Sequence, residues 1–207
     1  PPILSERIFT QGDRTVGYFM LTAFIEPADD ALDDLFRSFS ASGVDTVVVD
    51  LRYNGGGLLA VGRHLASLLA PDHAGEVYQT YWYNEARSEL NTETYLDTYA
   101  HGIAARDVVV LTTGATASAS EMLAFGLEPY RTVSRMGGTT LGKPVGMNHY
   151  ESCELFVAPI TFQMGNRDNR ATYFDGLAPD CGASDLLTAV PGSDGAPMMT
   201  SASSWLN

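Results

Sequence analysis

Apolar and polar residues repeat along the chain with the periods of strands and helices. Residues 16–24 are apolar and rich in β-forming types, and residues 44–51 contain three consecutive valines. Such a run is typical of a strand that is buried on both faces of a parallel sheet. Between the two runs, residues 27–43 predict a helix that ends at Gly43. Its apolar face is formed by Leu32, Leu35, Phe36 and Phe39. Strand, helix and strand in this order predict a right-handed βαβ unit.

The same alternation continues through the rest of the chain and predicts an α/β fold with a mainly parallel sheet flanked by helices. The further predicted elements are a helix over 58–70, a strand over 107–112, a helix over 118–127, a strand over 132–136, and a hairpin of strands over 154–162 and 171–174. Residues 79–102 are polar and rich in tyrosine. This segment is either a solvated excursion with a short helix or a wall over a binding site, since aromatic side chains bind other chains with little loss of entropy.

One domain accounts for residues 1–190. The segment 191–207 is rich in Gly, Ser, Ala and Met, and it is predicted to be a poorly ordered tail. We find no internal repeat and no second domain.

Composition narrows the classes of function. The net charge of −13 argues against a nucleic-acid partner, because phosphate repels an acidic surface. No run approaches the roughly 18 to 20 apolar residues of a membrane span. The four histidines are scattered, and neither Cys153 nor Cys181 has metal-ligand spacing, so we expect no metal and no cofactor. The two cysteines could form a disulfide or remain free thiols.

Ser118 lies where a strand is predicted to turn into a helix. Apolar residues at helical spacing follow it, namely Met122, Leu123 and Leu127. A hydroxyl at a helix N-terminus faces unpaired backbone N–H groups and the positive end of the helix dipole, which suits a nucleophile that generates an oxyanion. The alternative is structural: Ser118 or Ser120 caps the helix, and Glu121 completes a capping box.

A glycine-rich loop, Asn54 to Gly57, follows the predicted strand over 44–51. Glycine allows a tight strand-to-helix turn with positive φ, which is the structural interpretation. The functional interpretation is a loop whose N–H groups bind a carbonyl oxygen, because ligands collect at the carboxyl ends of strands in open α/β sheets.

Three motifs occur in order: Asp50-Leu51-Arg52-Tyr53-Asn54-Gly55-Gly56-Gly57, then Ser118-Ala119-Ser120-Glu121, then Gly142-Lys143. Together they resemble the C-terminal processing peptidases, also called tail-specific proteases, over about residues 17 to 185. The resemblance implies a crotonase-like α/β core in which Ser118 is the nucleophile. It also implies that Lys143, twenty-five positions later, is the base. A lysine can serve as a base if burial or a nearby positive charge lowers its pKa toward about 7 to 8.

The resemblance also assigns supporting roles. The oxyanion hole would use the N–H of Ala119 and an N–H from Gly55, Gly56 or Gly57. Asp50, Arg52 and Glu121 match family positions that matter for activity. We expect Arg52 to form a bidentate pair with Glu121 or Asp50 and to fix the glycine loop.

The sequence departs from the family pattern at three places. Some members place a glutamine four positions after the lysine, where this chain has Met147. Others place an aspartate eleven positions after the serine, where this chain has Pro129. Pro144 follows the lysine where glycine is common. The third member of the site is therefore unidentified, and Glu128 or a backbone carbonyl is the candidate.

The resemblance predicts a serine endopeptidase that cleaves polypeptides, in particular near a C-terminus, in the periplasm or outside the cell. A non-catalytic peptide-binding domain on the same scaffold is the alternative, and a crotonase-like acyl-CoA enzyme is a weaker rival. An exported enzyme favours a disulfide between Cys153 and Cys181. The peptide-binding PDZ domain of many family members is absent from this chain, and the natural protein could carry one upstream of Pro1.

Overall fold

The computed structural model describes residues 1–206, which form two sheets, a short hairpin and four α-helices. The strands are β1 (Ile3–Gln11), β2 (Arg14–Leu21), β3 (Thr46–Asp50), β4 (Val77–Tyr83), β5 (Thr92–Tyr95), β6 (Asp107–Thr112), β7 (Thr132–Gly137), β8 (Val145–Met147), β9 (Tyr150–Ser152), β10 (Leu155–Val157), β11 (Ile160–Asn166) and β12 (Cys181–Gly182). The α-helices are α1 (Pro27–Ala41), α2 (Leu59–Leu69), α3 (Ala119–Leu127) and α4 (Pro197–Trp205).

The main sheet has the strand order β1-β2-β3-β6-β7-β12. Within this sheet, strands β2, β3, β6, β7 and β12 are parallel to one another. Strand β1 is antiparallel to β2. The expectation of a mixed α/β fold with a mainly parallel sheet is thus confirmed. Its crotonase-like classification stays a prediction.

Side chains alternate between the two faces of the main sheet, as the period of a strand requires. On β3, Val47 and Val49 join the core beneath α1, α2 and α3, whereas Val48 joins a second core on the opposite face. An aromatic cluster anchors α1 to β2, with ring centroids of Phe19, Phe36 and Phe39 5.7–6.3 Å apart. The sheet is therefore buried on both faces.

The opposite face is covered by the C-terminal segment, which corrects the prediction of a poorly ordered tail over 191–207. Residues Pro197–Trp205 form α4, and Met198, Met199 and Ala202 are buried against Tyr18 and the valines of the sheet. The prediction considered only the composition of this segment and overlooked the helical spacing of Met198, Met199 and Ala202.

A second, antiparallel sheet has the order β5-β4-β11-β8. Residues 79–102 therefore do not form the solvated excursion that was one of their two interpretations, because β5 and most of β4 lie within them and both strands belong to this sheet. The predicted strand over 171–174 is wrong, since these residues are not in a strand and β11 pairs instead with β4 and β8.

The cysteines do not pair, so the expected disulfide is wrong. Cys153 is exposed in the turn between β9 and β10, whereas Cys181 lies on β12 in the main sheet. In residues 1–206 no helix has the length and apolar character of a membrane span.

Candidate active site

Three loops converge at the carboxyl edge of the main sheet, where ligands collect in α/β folds. They follow β3, β6 and β7, and they carry the glycine loop, Ser118 and Lys143 respectively. These loops and strand β8 enclose a cavity of about 390 Å³. Its lining consists of Gly55, Gly57, Leu58, Leu59, Ser118, Lys143, Val145, Gly146, Met147, Asn148 and His149. The structure thus brings the three motifs of the sequence to one place.

Ser118 occupies a sharp turn at the N-terminus of α3. Its φ of 57° and ψ of −117° lie outside the conformations that L-residues with a Cβ prefer. Such conformations persist only where the surroundings enforce them, and they cluster at functional sites. Ser118 lines the cavity although it is only 9% exposed, and its neighbours Ala117 and Ala119 are buried as well.

Asn54, which the sequence analysis did not single out, holds the glycine loop against the turn at Ser118. Its side chain donates to the Leu21 carbonyl and accepts from the N–H of Gly56 at 2.9 Å. Its backbone carbonyl accepts from Ser120 Oγ at 2.8 Å and from the N–H of Ala117 at 3.2 Å. Two elements that are far apart in sequence are therefore locked together through one buried asparagine.

Gly56 permits the close contact between these two elements. A Cβ at Gly56 would lie 2.8 Å from Ser118 Cβ and 2.8 Å from the Ala117 carbonyl oxygen, and the φ of Gly56 is +101°. Because its N–H donates to Asn54 Oδ1, Gly56 does not fit the predicted oxyanion-hole donor, whereas Gly55 and Gly57 line the cavity.

Gly57 is better placed to be that donor. It forms a parallel bridge with Phe24 in which Phe24 bonds to the Gly56 carbonyl and the Leu58 N–H. In a parallel ladder the central residue, here Gly57, directs its own N–H to the opposite side, and Gly57 lines the cavity. Ala119 is the first residue of α3, so its N–H has no partner within the helix.

Glu121 connects the turn at Ser118 to the loop that carries Lys143. This fully buried carboxylate accepts from the backbone N–H groups of Ser118 and Lys143, both at 2.8 Å. Its other oxygen accepts from the N–H of Gly142 at 2.7 Å and from Thr140 Oγ1 at 2.5 Å. The Ser118 contact is the Glu121 half of the predicted capping box, and the remaining contacts lie outside helix α3.

Lys143 is the only lysine of the 207 residues. It lines the cavity together with Ser118, and no ion pair to a carboxylate involves it within residues 1–206. The turn before it depends on Gly142, whose φ is +90° and whose Cβ would lie 2.3 Å from the Phe174 carbonyl oxygen.

Arg52 pairs with Asp50 and not with Glu121, which settles the two alternatives of the sequence analysis. Its Nε and Nη2 contact Asp50 at 3.0 and 2.8 Å, and its Nη1 contacts Asp185 at 2.8 Å. Burial lowers the pKa of the Arg52 guanidinium, but Asp50 and Asp185 outweigh this effect and raise it. Burial, followed by the Asp50 charge, raises the pKa of Tyr18, which donates to Asp50 at 2.8 Å. This network of hydrogen bonds stabilises the C-terminal end of β3, which directly precedes the glycine loop.

The candidates for a third site residue fall outside the cavity or carry no suitable group. Glu128 pairs with Arg135 and Arg170 at 2.6 Å, so it is not available to orient Lys143. Met147 lines the cavity but has only a thioether.

Two histidines differ in their distance from the cavity. His64 is held between Asp29 and Asp33 on helix α1 and stacks on Tyr99, away from the cavity. His149 is the histidine that lines the cavity, and its ring contacts Phe156.

Comparison with known proteins identifies the family to which the chain is similar. The family model described as Peptidase family S41 matches residues 15–182. A carboxyl-terminal-processing protease of Synechocystis sp. is 31% identical over 152 residues, which make up 72% of this chain and 33% of that protein. The chain therefore spans about a third of the length of this relative.

Solved structures share the fold. A Bacteroides fragilis protein assigned to the S41 proteases superposes with a TM-score of 0.90 and 26% identity, over 99% of this chain and 57% of that one. The photosystem II D1 C-terminal processing protease superposes with a TM-score of 0.72 and 23% identity, over 96% of this chain and 54% of that chain.

Proposed function

The chain belongs to peptidase family S41, and we propose from this membership and from the cavity that it is a serine endopeptidase with a Ser118–Lys143 dyad. The observation that carries the proposal is that a serine in a strained turn and the only lysine line the same cavity. A buried carboxylate also bonds to the backbone N–H of both residues. Ser–Lys pairs are a known variant of the catalytic triad.

In the proposed mechanism, Ser118 Oγ attacks the scissile carbonyl carbon while its proton passes to the neutral Lys143 Nζ. The carbonyl oxygen becomes an oxyanion that accepts from the N–H groups of Gly57 and Ala119. Collapse breaks the C–N bond, and the departing amine takes the proton from Lys143. Water then attacks the acyl-enzyme by the same route, its proton passing through Lys143 to Ser118 Oγ, and releases the carboxylate product.

The resemblance to carboxyl-terminal-processing proteases supports substrates that are polypeptides with an accessible C-terminal segment. Leu58, Leu59, Val145 and Met147 give the cavity apolar walls, which suit apolar side chains. A location in the periplasm or outside the cell remains part of this proposal.

Labelling of Ser118 tests the proposal. A fluorophosphonate probe should attach covalently to Ser118, as located by peptide mass spectrometry, and unfolded β-casein should be cleaved. The Ser118→Ala variant should lose both reactions, and Ser40→Ala, at an exposed position of helix α1, serves as the serine control for the labelling site. Absence of labelling and of cleavage in the folded parent chain would favour the peptide-binding alternative.

A further inference from the structure

We propose that a second pocket, next to the cavity that Ser118 lines, binds a carboxylate group of the polypeptide substrate and that Arg87 selects it. The inference rests on the proposed function and names a specificity-determining residue for it. The carboxylate belongs either to an Asp or Glu side chain or to the C-terminus of the substrate, and experiment can separate these two sources.

This space, the Arg87 pocket, has a volume of about 200 Å³. It lies at one end of the second sheet, between the start of β11 and a short 3₁₀ helix, Glu85–Leu90, that follows β4. Leu90 and Ile160 give it apolar walls, and Arg87 is the only charged side chain among its described lining residues. An apolar pocket with one charged group suits a ligand of opposite charge.

The guanidinium of Arg87 is free to bind such a ligand. Acidic residues outnumber basic ones by 25 to 12, and ten of the eleven arginines pair with a carboxylate of the chain. Arg87 is the exception, since no carboxylate of residues 1–206 pairs with it. Glu85 and Glu89 lie two positions away on the same short helix, yet neither neutralises its charge.

Two hydroxyl groups of the pocket are also set up as donors. Asn148 Nδ2 donates to Tyr83 Oη at 3.1 Å, and the Asn148 N–H donates to Thr161 Oγ1 at 3.0 Å. Each hydroxyl therefore accepts from Asn148, and its own hydrogen has no acceptor in the part of the chain that the structure describes. A guanidinium only donates and an ionised carboxylate only accepts. The pocket thus complements a carboxylate, which an arginine can bind with two parallel hydrogen bonds.

Asn148 joins the Arg87 pocket to the cavity that Ser118 lines. It lines that cavity itself, while its backbone and its side chain bond to Thr161 and Tyr83 of the Arg87 pocket. A polypeptide whose scissile bond lies at Ser118 can therefore reach Arg87 within a few residues, because each residue of an extended chain spans up to about 3.3–3.6 Å.

The charge of the whole chain sharpens this selection. With a net charge of −13, the protein repels an acidic substrate over most of its surface. A single unpaired arginine beside the cavity makes one substrate position the exception. We therefore expect a preference for a carboxylate at that one position and not for acidic substrates in general.

The first test uses a quenched eight-residue peptide that spans a cleavage site mapped in β-casein. Each residue is replaced in turn by Asp and by its neutral isostere Asn, and the peptide is also made with a free C-terminal carboxylate and as the amide. One charged form should have a kcat/KM about tenfold above that of its neutral counterpart, as one charge-assisted hydrogen bond allows. An Asp preference identifies a side chain as the source, and a free-acid preference identifies the C-terminus. Equal values in every pair overturn the carboxylate pocket, while cleavage of the peptide upholds the proposed function.

Variants of Arg87 assign the preference to this residue. Arg87→Gln should abolish it, and Arg87→Glu should reverse it in favour of the neutral form. Arg37→Gln is the matched control, because Arg37 is an exposed arginine of helix α1 that lines neither space. Labelling of Ser118 in each variant verifies that the site is assembled. A preference that survives Arg87→Gln, or that Arg37→Gln removes equally, overturns the assignment.

Binding to an inactive chain tests the pocket without catalysis. In Ser118→Ala, fluorescence anisotropy of the same peptides, carrying a single dye, should give a Kd about tenfold lower for the charged form. Addition of Arg87→Gln should remove this difference, and equal Kd values before that addition refute carboxylate binding. A parent chain that is neither labelled nor able to cleave the peptides defeats the proposed function, and the Kd values then still decide for or against the pocket.

Discussion

At the scale of single residues, two buried side chains determine the geometry of the candidate site. Asn54 accepts from the N–H of Gly56, so the donors of the glycine loop that remain candidates for the cavity are those of Gly55 and Gly57, which line it. Glu121 bonds to the backbone of Ser118 and Lys143 at once, so the two loops cannot shift independently. Neither residue requires a role in proton transfer; each acts by positioning others.

Glu121→Gln should reduce activity through this positioning. One carboxylate oxygen becomes an amide NH₂ group, so that the two donors bonded to that oxygen lose their acceptor, and each buried N–H left without one costs about 1–3 kcal/mol. We expect kcat to fall by about a hundredfold or more, as misplacement of reacting groups by an ångström can cause, with little change in KM. Glu128→Gln makes the same chemical change at a residue outside the cavity. Equal kcat values for the two variants would refute the positioning role.

Lys143→Arg should be nearly inactive, because arginine keeps the charge but does not lose its proton in proteins. We expect kcat/KM to fall by about 10²- to 10⁴-fold, the usual contribution of a general base. Cleavage should persist when His64, His73, His101 and His149 are replaced one at a time by Gln. Loss of cleavage in one of these variants, with the fold intact, would make that histidine the base.

At the scale of elements, the site depends on which loops follow which strands. β3, β6 and β7 are neighbours in the main sheet, so the loops after them meet at one edge. The turn before Lys143 is held from the C-terminal side, since Gly142 packs against the backbone of Phe174 and Gly176, and Gly176 packs against the backbone of Thr140. Helix α4 closes the opposite face of the sheet.

Met198→Ala should destabilise the fold if α4 is docked as described. Met198 is buried in the second core beside Gly137, and truncation of a buried methionine costs about 2–5 kcal/mol. Leu187→Ala is the control, because Leu187 is 79% exposed and should change stability by less than about 0.5 kcal/mol. Urea unfolding measures both. A free energy of unfolding that is the same in the two variants would mean that α4 does not contribute to the core.

At the scale of the whole molecule, buried tyrosines link stability to alkaline pH. Burial raises the pKa of Tyr78, and burial together with the Glu121 charge raises the pKa of Tyr173. In the unfolded chain these groups lose their proton near pH 10. Their contribution to stability is therefore complete below about pH 10 and declines as the pH rises toward the folded-state pKa.

Tyr173→Phe should flatten this alkaline decline. The Tyr173 hydroxyl contacts only Met122 Sδ at 3.8 Å among residues 1–206, so its removal should cost little at pH 8. Above pH 10 the slope of the unfolding free energy should decrease by up to about 1.4 kcal/mol per pH unit. Tyr150→Phe, at an exposed position of the β9–β10 hairpin, is the control. Equal slopes in both variants would contradict the link.

The sequence by itself determined the family, the parallel core and the three motifs. Buried parallel strands are continuous apolar runs, and the glycines Gly55 to Gly57 and the serine before helix α3 can be recognised from the order of the residues alone. The βαβ pattern and the positions of α1, α2 and α3 followed from local periodicity in the same way.

The tertiary structure decided what depends on contacts between distant residues. Asn54 is one polar residue beside three glycines, and only the fold shows that it accepts from Gly56 and not from solvent. The Arg87 pocket exists only because β11 pairs with β4 and brings Thr161 beside Tyr83. The packing of α4 and the separation of Cys153 from Cys181 likewise depend on where the chain returns. The spacing of apolar residues in the sequence shows which face of a helix or strand is apolar. Which other element packs against that face depends on the packing of the whole chain.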